Sequence, residues 1–201
     1  MISTMFPRLG SSKLVSTWIL ITLAASIIPV LGGDWLSGWL ALAPARIWHG
    51  EVWRLGTWVF VEPGALSLIL TCATIYKFGG ELAPRWGDRR LRRFLIEVIG
   101  AAAVVTTLLA LASSTVWHMS RLGGWVVSDV LVIAWARQYP DSTLVVYGLL
   151  RLRGRDLITV TIGITVVFAL FTGPFVMAPE LLACAAAFWY PGTRLTRRGG
   201  G

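Results

Sequence analysis

Long apolar runs alternate with short polar segments along the whole chain. An apolar run of about 20 residues is long enough to cross the hydrocarbon core of a bilayer as an α-helix. The fourth and sixth runs are shorter, and short spans usually pack inside a bundle beside a cavity. The pattern predicts an all-α, polytopic membrane protein with six transmembrane helices at residues 14–32, 57–78, 94–116, 123–136, 157–174 and 176–190.

The six spans divide the chain into three parts. We expect residues 1–13 to form a cytoplasmic N-terminus, residues 14–192 a transmembrane domain, and residues 193–201 a basic, glycine-ended cytoplasmic tail. The first apolar run is long for the core of a signal peptide, so it is expected to be retained as the first span.

Composition and charge agree with this layout. The chain is 56% hydrophobic and only 14% charged, which is too few charges for a soluble domain of 201 residues. Fifteen of the 18 basic residues fall at the termini and in the loops after the second and fourth spans; the other three are Arg46, Arg54 and Arg121. This imbalance predicts cytoplasmic termini, and it accounts for the net charge of +8 without a nucleic-acid partner.

The first external loop, residues 33–55, carries four tryptophans and ends in the pair Trp53-Arg54. Indole rings favour the headgroup level of a bilayer, and a guanidinium group there binds phosphate or loop carbonyls. The loop is therefore expected to lie in the outer interface. It is either a simple aromatic belt or a structured loop that shapes a lateral entrance to the bundle.

Several landmarks along the chain resemble those of the rhomboid superfamily. Residues 50–57 read Gly-Glu-Val-Trp-Arg-Leu-Gly-Thr, like the run before the second span of rhomboid proteases, and Phe60 follows it. Glu51, Trp53 and Arg54 are the structural residues of this motif. Phe78-Gly79 at the end of the second span and the Arg-Arg-Phe-Leu run at residues 92–95 also match.

The second half of the chain is similar to derlins, the non-proteolytic branch of that superfamily. The similarity lies in Trp135, Arg137 and Pro140, in the Tyr-Gly-Leu-Leu run at residues 147–150, and in the Glu-Leu-Leu run at residues 180–182. The resemblance covers residues 12–192. It implies a six-helix, rhomboid-like bundle of the derlin-like type.

A rhomboid protease uses a serine on its fourth span and a histidine on its sixth, with a histidine and an asparagine on the second span as oxyanion donors. At the matching positions this chain has Ser67 and Thr71 for the two donors, Trp125 for the serine and Glu180 for the histidine of the sixth span. Glu62 stands where the family has an earlier histidine before the donors. Tryptophan has no nucleophilic oxygen, and a serine hydroxyl is weak without a base. The resemblance therefore implies a pseudoprotease without the Ser–His dyad, and no catalytic residue is predicted.

Other polar residues leave two chemical alternatives open. Ser128 is the only serine of the fourth span, and His118 lies in the loop before it, so the pair could form a displaced dyad. Asp129 and Glu180 lie on the two spans that carry the family's dyad and could form a carboxylate pair. The favoured interpretation is that these carboxylates accept hydrogen bonds or line a water-filled mouth.

Small residues and cysteines complete the list of candidate features. Ala183 and Ala187 give the sixth span a small face, on which rhomboids and derlins pack the fourth span. Cys72 and Cys184 fall inside apolar spans and are expected to be small buried hydrophobes. The sequence indicates no cofactor and no metal site.

The resemblance implies a catalytically inactive membrane protein that binds transmembrane or misfolded membrane clients, or partner subunits, in membrane protein quality control. The alternatives are an active intramembrane serine-type endopeptidase with a displaced site, and a structural subunit of a membrane complex. Expected partners are the lipid bilayer and transmembrane proteins, with no nucleic acid. Composition favours a bacterial inner membrane; in a eukaryote the compartment would be the endoplasmic reticulum membrane.

Overall fold

The computed structural model describes residues 12–33, 35–146 and 150–190. Three sequence predictions fall outside these ranges: most of the N-terminal segment 1–13, the tail at residues 193–201, and most of the derlin-like run at residues 147–150. The described part of the chain is a helical bundle with one small hairpin.

Eleven α-helices lie within the described residues. They are α1 (Lys13–Gly32), α2 (Trp35–Leu40), α3 (Pro44–Trp48), α4 (Arg54–Thr57), α5 (Ala65–Thr74), α6 (Gly80–Trp86), α7 (Asp88–Leu109), α8 (Ser114–Trp117), α9 (Gly124–Gln138), α10 (Gly154–Thr172) and α11 (Ala178–Trp189). A 3₁₀ turn at Trp58–Phe60 continues α4, and a π-helical segment at Ile75–Gly79 joins α5 to α6.

A helical segment lies at each of the six predicted spans. By length and composition alone, α1 and α10 could each cross a membrane. The pair Arg54–Phe60 and Ala65–Trp86 would make a third crossing if this pair, bent by 98°, is one span. The second span was predicted as one helix over residues 57–78. In the structure the chain turns between Phe60 and Ala65, where Pro63 and Gly64 interrupt the helix.

Helix α9 lies at the centre of the bundle and packs against α5, α7, α10 and α11. Its apolar side chains Val126, Val127, Val130, Ile133 and Ala134 are all fully buried. A helix that is apolar on all sides is favoured in such a central position, which accounts for the short fourth span.

The starts of α1 and α7 are tied together by Asp88. Its carboxylate accepts a 2.8 Å hydrogen bond from the Ser12 hydroxyl and a 3.3 Å bond from the Leu14 amide. Ser12 is also the N-cap of α1, since its Oγ accepts from the Val15 amide. The two helices therefore begin at the same end of the bundle.

A hairpin that the sequence did not predict joins α9 to α10. Strand β1 (Thr143–Val146) pairs antiparallel with β2 (Leu150–Arg153), in the register Thr143 to Arg153 and Val146 to Leu150. It lies in the segment that was expected to be a simple basic loop, so it leaves the helical fold class unchanged.

Candidate functional site

The first loop is held by the guanidinium group of Arg54. This side chain is only 1% exposed, and its Nη1 donates to the carbonyls of Gly38 at 2.6 Å and Ala41 at 2.9 Å. Its Nε pairs with Glu51 Oε2 at 2.6 Å. Of the two roles predicted for this arginine, the structure shows the one that uses loop carbonyls.

Glu51 and Trp53 surround this anchor. The hydrogen bond from Arg54 holds the pKa of the Glu51 carboxyl below its usual value, because it stabilises the charged form. The Trp53 ring lies 5.0 Å from that of Trp39, centroid to centroid. Thr57 adds a 2.9 Å hydrogen bond from its hydroxyl to the Leu40 carbonyl. The loop is thus structured rather than a bare aromatic belt.

The loop is also connected to the mouth of the helical bundle. Leu42 and Arg121 form an antiparallel bridge, with N to O distances of 2.8 and 3.0 Å. The Arg121 guanidinium then reaches across to Glu180 in the first turn of α11, with a 2.6 Å distance from Nη2 to Oε1. Glu180, which the sequence resemblance matches to the general base of rhomboid proteases, is therefore half of an ion pair.

The two second-span positions nearest α9 form a polar chain with it. The Thr71 hydroxyl donates to Glu62 Oε1 at 2.6 Å, and the Ser128 hydroxyl lies 3.5 Å from Thr71 Oγ1. All three side chains are buried. The amide of Glu62 donates to Ser26 Oγ at 3.0 Å, which ties this chain to α1. The Ser67 hydroxyl donates to the Gly64 carbonyl at 2.8 Å.

Two glycines let the second span approach the start of α9. A Cβ at Gly124 would overlap the Glu62 carboxylate, and a Cβ at Gly123 would overlap the Trp58 ring. The Gly123 amide also donates to the Trp58 carbonyl at 3.0 Å. The Glu62 carboxylate therefore lies against the first turn of α9, where a negative charge is favoured.

Trp125, which the sequence resemblance matches to the rhomboid nucleophile, lies beside a cavity. Trp125 is 41% exposed and lines a cavity of about 150 Å³ between α5, α9 and α10. We call this space the α9 cavity; it is also lined by Leu70, Thr74, Ser128, Asp129, Val132, Thr161 and Ile164. It combines hydroxyl groups and one carboxylate with an exposed indole.

Asp129 is 7% exposed and faces α10 and α11 as well as the cavity. Its Oδ2 accepts from Thr165 Oγ1 at 3.2 Å, and Cys184 Sγ lies 3.9 Å away. The partner of Glu180 is Arg121, so the two carboxylates have different hydrogen-bond partners.

The displaced dyad is not assembled. His118 is exposed, and its Nδ1 lies 2.9 Å from the Ser114 carbonyl, whereas the buried Ser128 hydroxyl contacts Thr71. Among the described residues no histidine ring is within hydrogen-bond distance of Ser128. The described residues also hold no group of three side chains that could bind a metal.

The small face of α11 is part of the core. Ala183 and Ala187 are fully buried, and α11 packs against both α7 and α9. Cys184 is also buried, whereas Cys72 is half-buried, and both are free thiols.

Sequence reasoning missed Arg121 as the partner of Glu180 and Thr165 as a partner of Asp129. Arg121 carried a signal, because it is one of only three basic residues on the side of the membrane predicted to lack positive charge. Thr165 carried none, since a threonine inside an apolar span has no distinguishing pattern.

The bundle, its anchored loop and its altered site define a rhomboid-like integral membrane protein of the derlin type. The family model described as "Eukaryotic integral membrane protein (DUF1751)" matches residues 12–191, and the chain belongs to this family. The predicted derlin-like resemblance and the all-α membrane fold are thereby confirmed.

Curated relatives support the same assignment. Derlin-1 of Oryza sativa subsp. japonica is 30% identical over 119 residues, which are 59% of this chain and 48% of that protein. Derlin-1.1 of Zea mays is 31% identical over 104 residues, or 51% of this chain and 41% of that protein. The chain spans about half the length of the curated relatives it matches. Because the family description is eukaryotic, the preference for a bacterial membrane has no support from these relatives.

Proposed function

We propose that this protein is a catalytically inactive, derlin-like receptor that binds transmembrane segments of client membrane proteins at the α9 cavity. The observation that carries the proposal is the buried Asp129 carboxylate, which lines this cavity together with Ser128 and the exposed Trp125. Derlin-type relatives and the match to a eukaryotic membrane family support a role in membrane protein quality control.

The Asp129 carboxylate can accept a further hydrogen bond. Thr165 and Cys184 both approach Oδ2, and no hydrogen bond from the described residues reaches Oδ1. A carboxylate inside a membrane is costly unless it is satisfied. A serine, threonine, asparagine or lysine side chain of a client segment would donate a hydrogen bond to Oδ1. The same bond would satisfy the polar group of the client.

The surroundings of the carboxylate fit a helical client. Trp125 and Ile164 are both exposed at the edge of the cavity, on α9 and α10. They offer apolar contact to the rest of a transmembrane segment, while Thr74 and Thr161 add hydroxyl groups within the cavity. The chemistry favours unstable segments that are mostly apolar and carry one or two polar residues.

Location and orientation belong to the same proposal. We propose that the protein resides in the endoplasmic reticulum membrane with both termini in the cytoplasm. The eukaryotic family description supports the compartment, and the uneven distribution of basic residues supports the orientation.

Site-specific photo-crosslinking tests the client proposal. A photo-reactive residue at position 125 should capture client proteins, whereas one at Leu20, which is 65% exposed on α1, should capture lipid. Asp129→Asn should lower client capture about tenfold, the effect of losing one hydrogen bond to a charged group. Glu97→Gln, which removes an exposed carboxylate from α7, is the matched control. Recovery of lipid alone from position 125, or equal protein capture from Leu20, would refute the proposal.

A further inference from the structure

A second and larger concave surface lies between α1, α4 and α7. It encloses about 790 Å³, and we call it the α1–α7 groove. Its walls are mostly apolar and include Trp18 and Ile21 of α1, Phe60 of the 3₁₀ turn, and Ile96 and Ile99 of α7. Its volume is within the range of about 300–1,000 Å³ typical of small-molecule sites.

One end of this groove is strongly basic. Lys13, Arg89 and Arg92 all line it and are exposed, and none of them forms an ion pair within the described residues. The nearby carboxylate of Asp88 is occupied by Ser12 and the amide of Leu14. Arg89 and Arg92 are three residues apart on α7 and therefore lie on one helix face.

The length of the groove limits what it can hold. It extends from Lys13 to Ile21 along α1 and from Asp88 to Gly100 along α7. At 1.5 Å per residue these stretches are about 12 and 18 Å long, roughly half of a hydrocarbon core of about 30 Å. A transmembrane client helix would need the full thickness, whereas a lipid occupies one leaflet.

We propose that the α1–α7 groove is a binding site for an anionic glycerophospholipid. The phosphate and the acidic headgroup lie against Lys13, Arg89 and Arg92, and an acyl chain lies along the apolar walls. The groove has a basic end and apolar walls about one leaflet long. These two features match the charged headgroup and the acyl chain of such a lipid.

Native mass spectrometry of the full chain in detergent, with equimolar phosphatidylserine and phosphatidylcholine, tests this site. The protein should retain phosphatidylserine preferentially. In the double variant Arg89→Gln/Arg92→Gln, the ratio of retained phosphatidylserine to phosphatidylcholine should fall about 30-fold. Each basic residue contributes about fivefold to the attraction of an anionic lipid. Arg85→Gln/Arg90→Gln removes the same charge from residues that do not line the groove, and it should retain the preference.

Filling the groove provides an independent variant. A Cβ at Gly100 or at Gly56 meets no atom within 4 Å, so a side chain at either position begins in open space. Both glycines line the groove, and leucine there takes up space that the lipid needs. Gly100→Leu and Gly56→Leu should each abolish retention of phosphatidylserine while the protein stays folded.

Four results would overturn the proposal. They are equal retention of the two lipids by the wild type, an equal loss in the Arg85→Gln/Arg90→Gln control, displacement of the lipid by an equal concentration of glycerol 3-phosphate, and photo-crosslinking from position 96 to protein rather than lipid. The last result would mean that a client helix or residues 1–11 of this chain occupy the groove.

Discussion

Arg121 and Glu180 form an ion pair at the mouth of the bundle, with 2.6 Å between Nη2 and Oε1. The pair connects the segment before α9 to the first turn of α11, and the backbone of Arg121 also pairs with Leu42 of the first loop. The two partners differ in burial: Glu180 is 3% exposed, whereas about a quarter of the Arg121 side chain reaches solvent. The consequences of removing each partner should therefore differ.

Arg121→Gln should destabilise the protein more than Glu180→Gln. The first change leaves a buried carboxylate without its cation, which costs about 3–5 kcal/mol. The second leaves an arginine that water can still reach, and its cost should be about 1 kcal/mol. Thermal and chemical unfolding in detergent micelles measures both values.

The double variant Arg121→Gln/Glu180→Gln is the control for this comparison. Because it removes both charges, it should be more stable than Arg121→Gln alone, with a coupling energy of at least about 1 kcal/mol. Equal and additive effects of the two single changes would contradict the proposed coupling.

Gly123→Ala should destabilise the protein by about 2–4 kcal/mol. The added Cβ would overlap the fully buried Trp58 ring, and overpacking at a site that cannot relax is costly. The matched control is Gly163→Ala in the middle of α10, where a Cβ meets no atom within 4 Å. There the substitution should stabilise the helix by about 0.5–1 kcal/mol. The free energy of unfolding of each variant distinguishes the two cases, and an equal effect would disprove the close-packing argument.

The positions of the site residues in the fold could be predicted from sequence because the apolar runs set the order of the helices. The sequence assigns Thr71, Trp125 and Glu180 to three different spans. In the structure the helices of Thr71 and Glu180 both pack against α9, the helix of Trp125. The order of motifs such as the one around Arg54 was also enough to identify the family, which the family match confirms.

The partners within the site could not be predicted in the same way. Whether Glu180 pairs with Arg121 depends on a few ångströms of helix rotation, which hydrophobic patterning does not determine. The turn between Phe60 and Ala65 was missed because the apolar run continues on both sides of it. The hairpin around β1 and β2 was missed because its strands are only four residues long.

Arg54→Lys should loosen the first loop despite keeping the charge. Lysine has a single ammonium group and cannot reproduce the bonds that Arg54 makes to Glu51, Gly38 and Ala41. Because position 54 is itself buried, a lysine there would leave its own charge and the buried Ala41 carbonyl incompletely paired. We expect a loss of about 3 kcal/mol in stability and faster proteolysis within residues 33–55. Arg46→Lys, at an exposed arginine that pairs with the same glutamate, is the control and should behave like the wild type. Unchanged proteolysis in Arg54→Lys would show that the loop does not depend on this anchor.

The same anchor should make the loop sensitive to acid. The pKa of Glu51 is lower in the folded protein than its usual value of 4.5, chiefly because of the hydrogen bond from Arg54. A lowered pKa means that the folded state binds the proton more weakly than the unfolded state does. The stabilisation is therefore complete above about pH 5 and is lost as the pH falls through 4.5 and then through the lower value of the folded protein.

Limited proteolysis of the first loop between pH 6 and pH 3 measures this effect, with an acid-stable protease that remains active across the range. The wild-type loop should become more susceptible as the pH falls, whereas Glu51→Gln should be susceptible already at pH 6 and change less. Other carboxylates titrate in the same range, so the quantity to compare is the difference between the two proteins at each pH. A difference that stays constant from pH 6 to pH 3 would show that Glu51 is not the group that titrates, because removal of the responsible carboxyl must remove its part of the pH dependence.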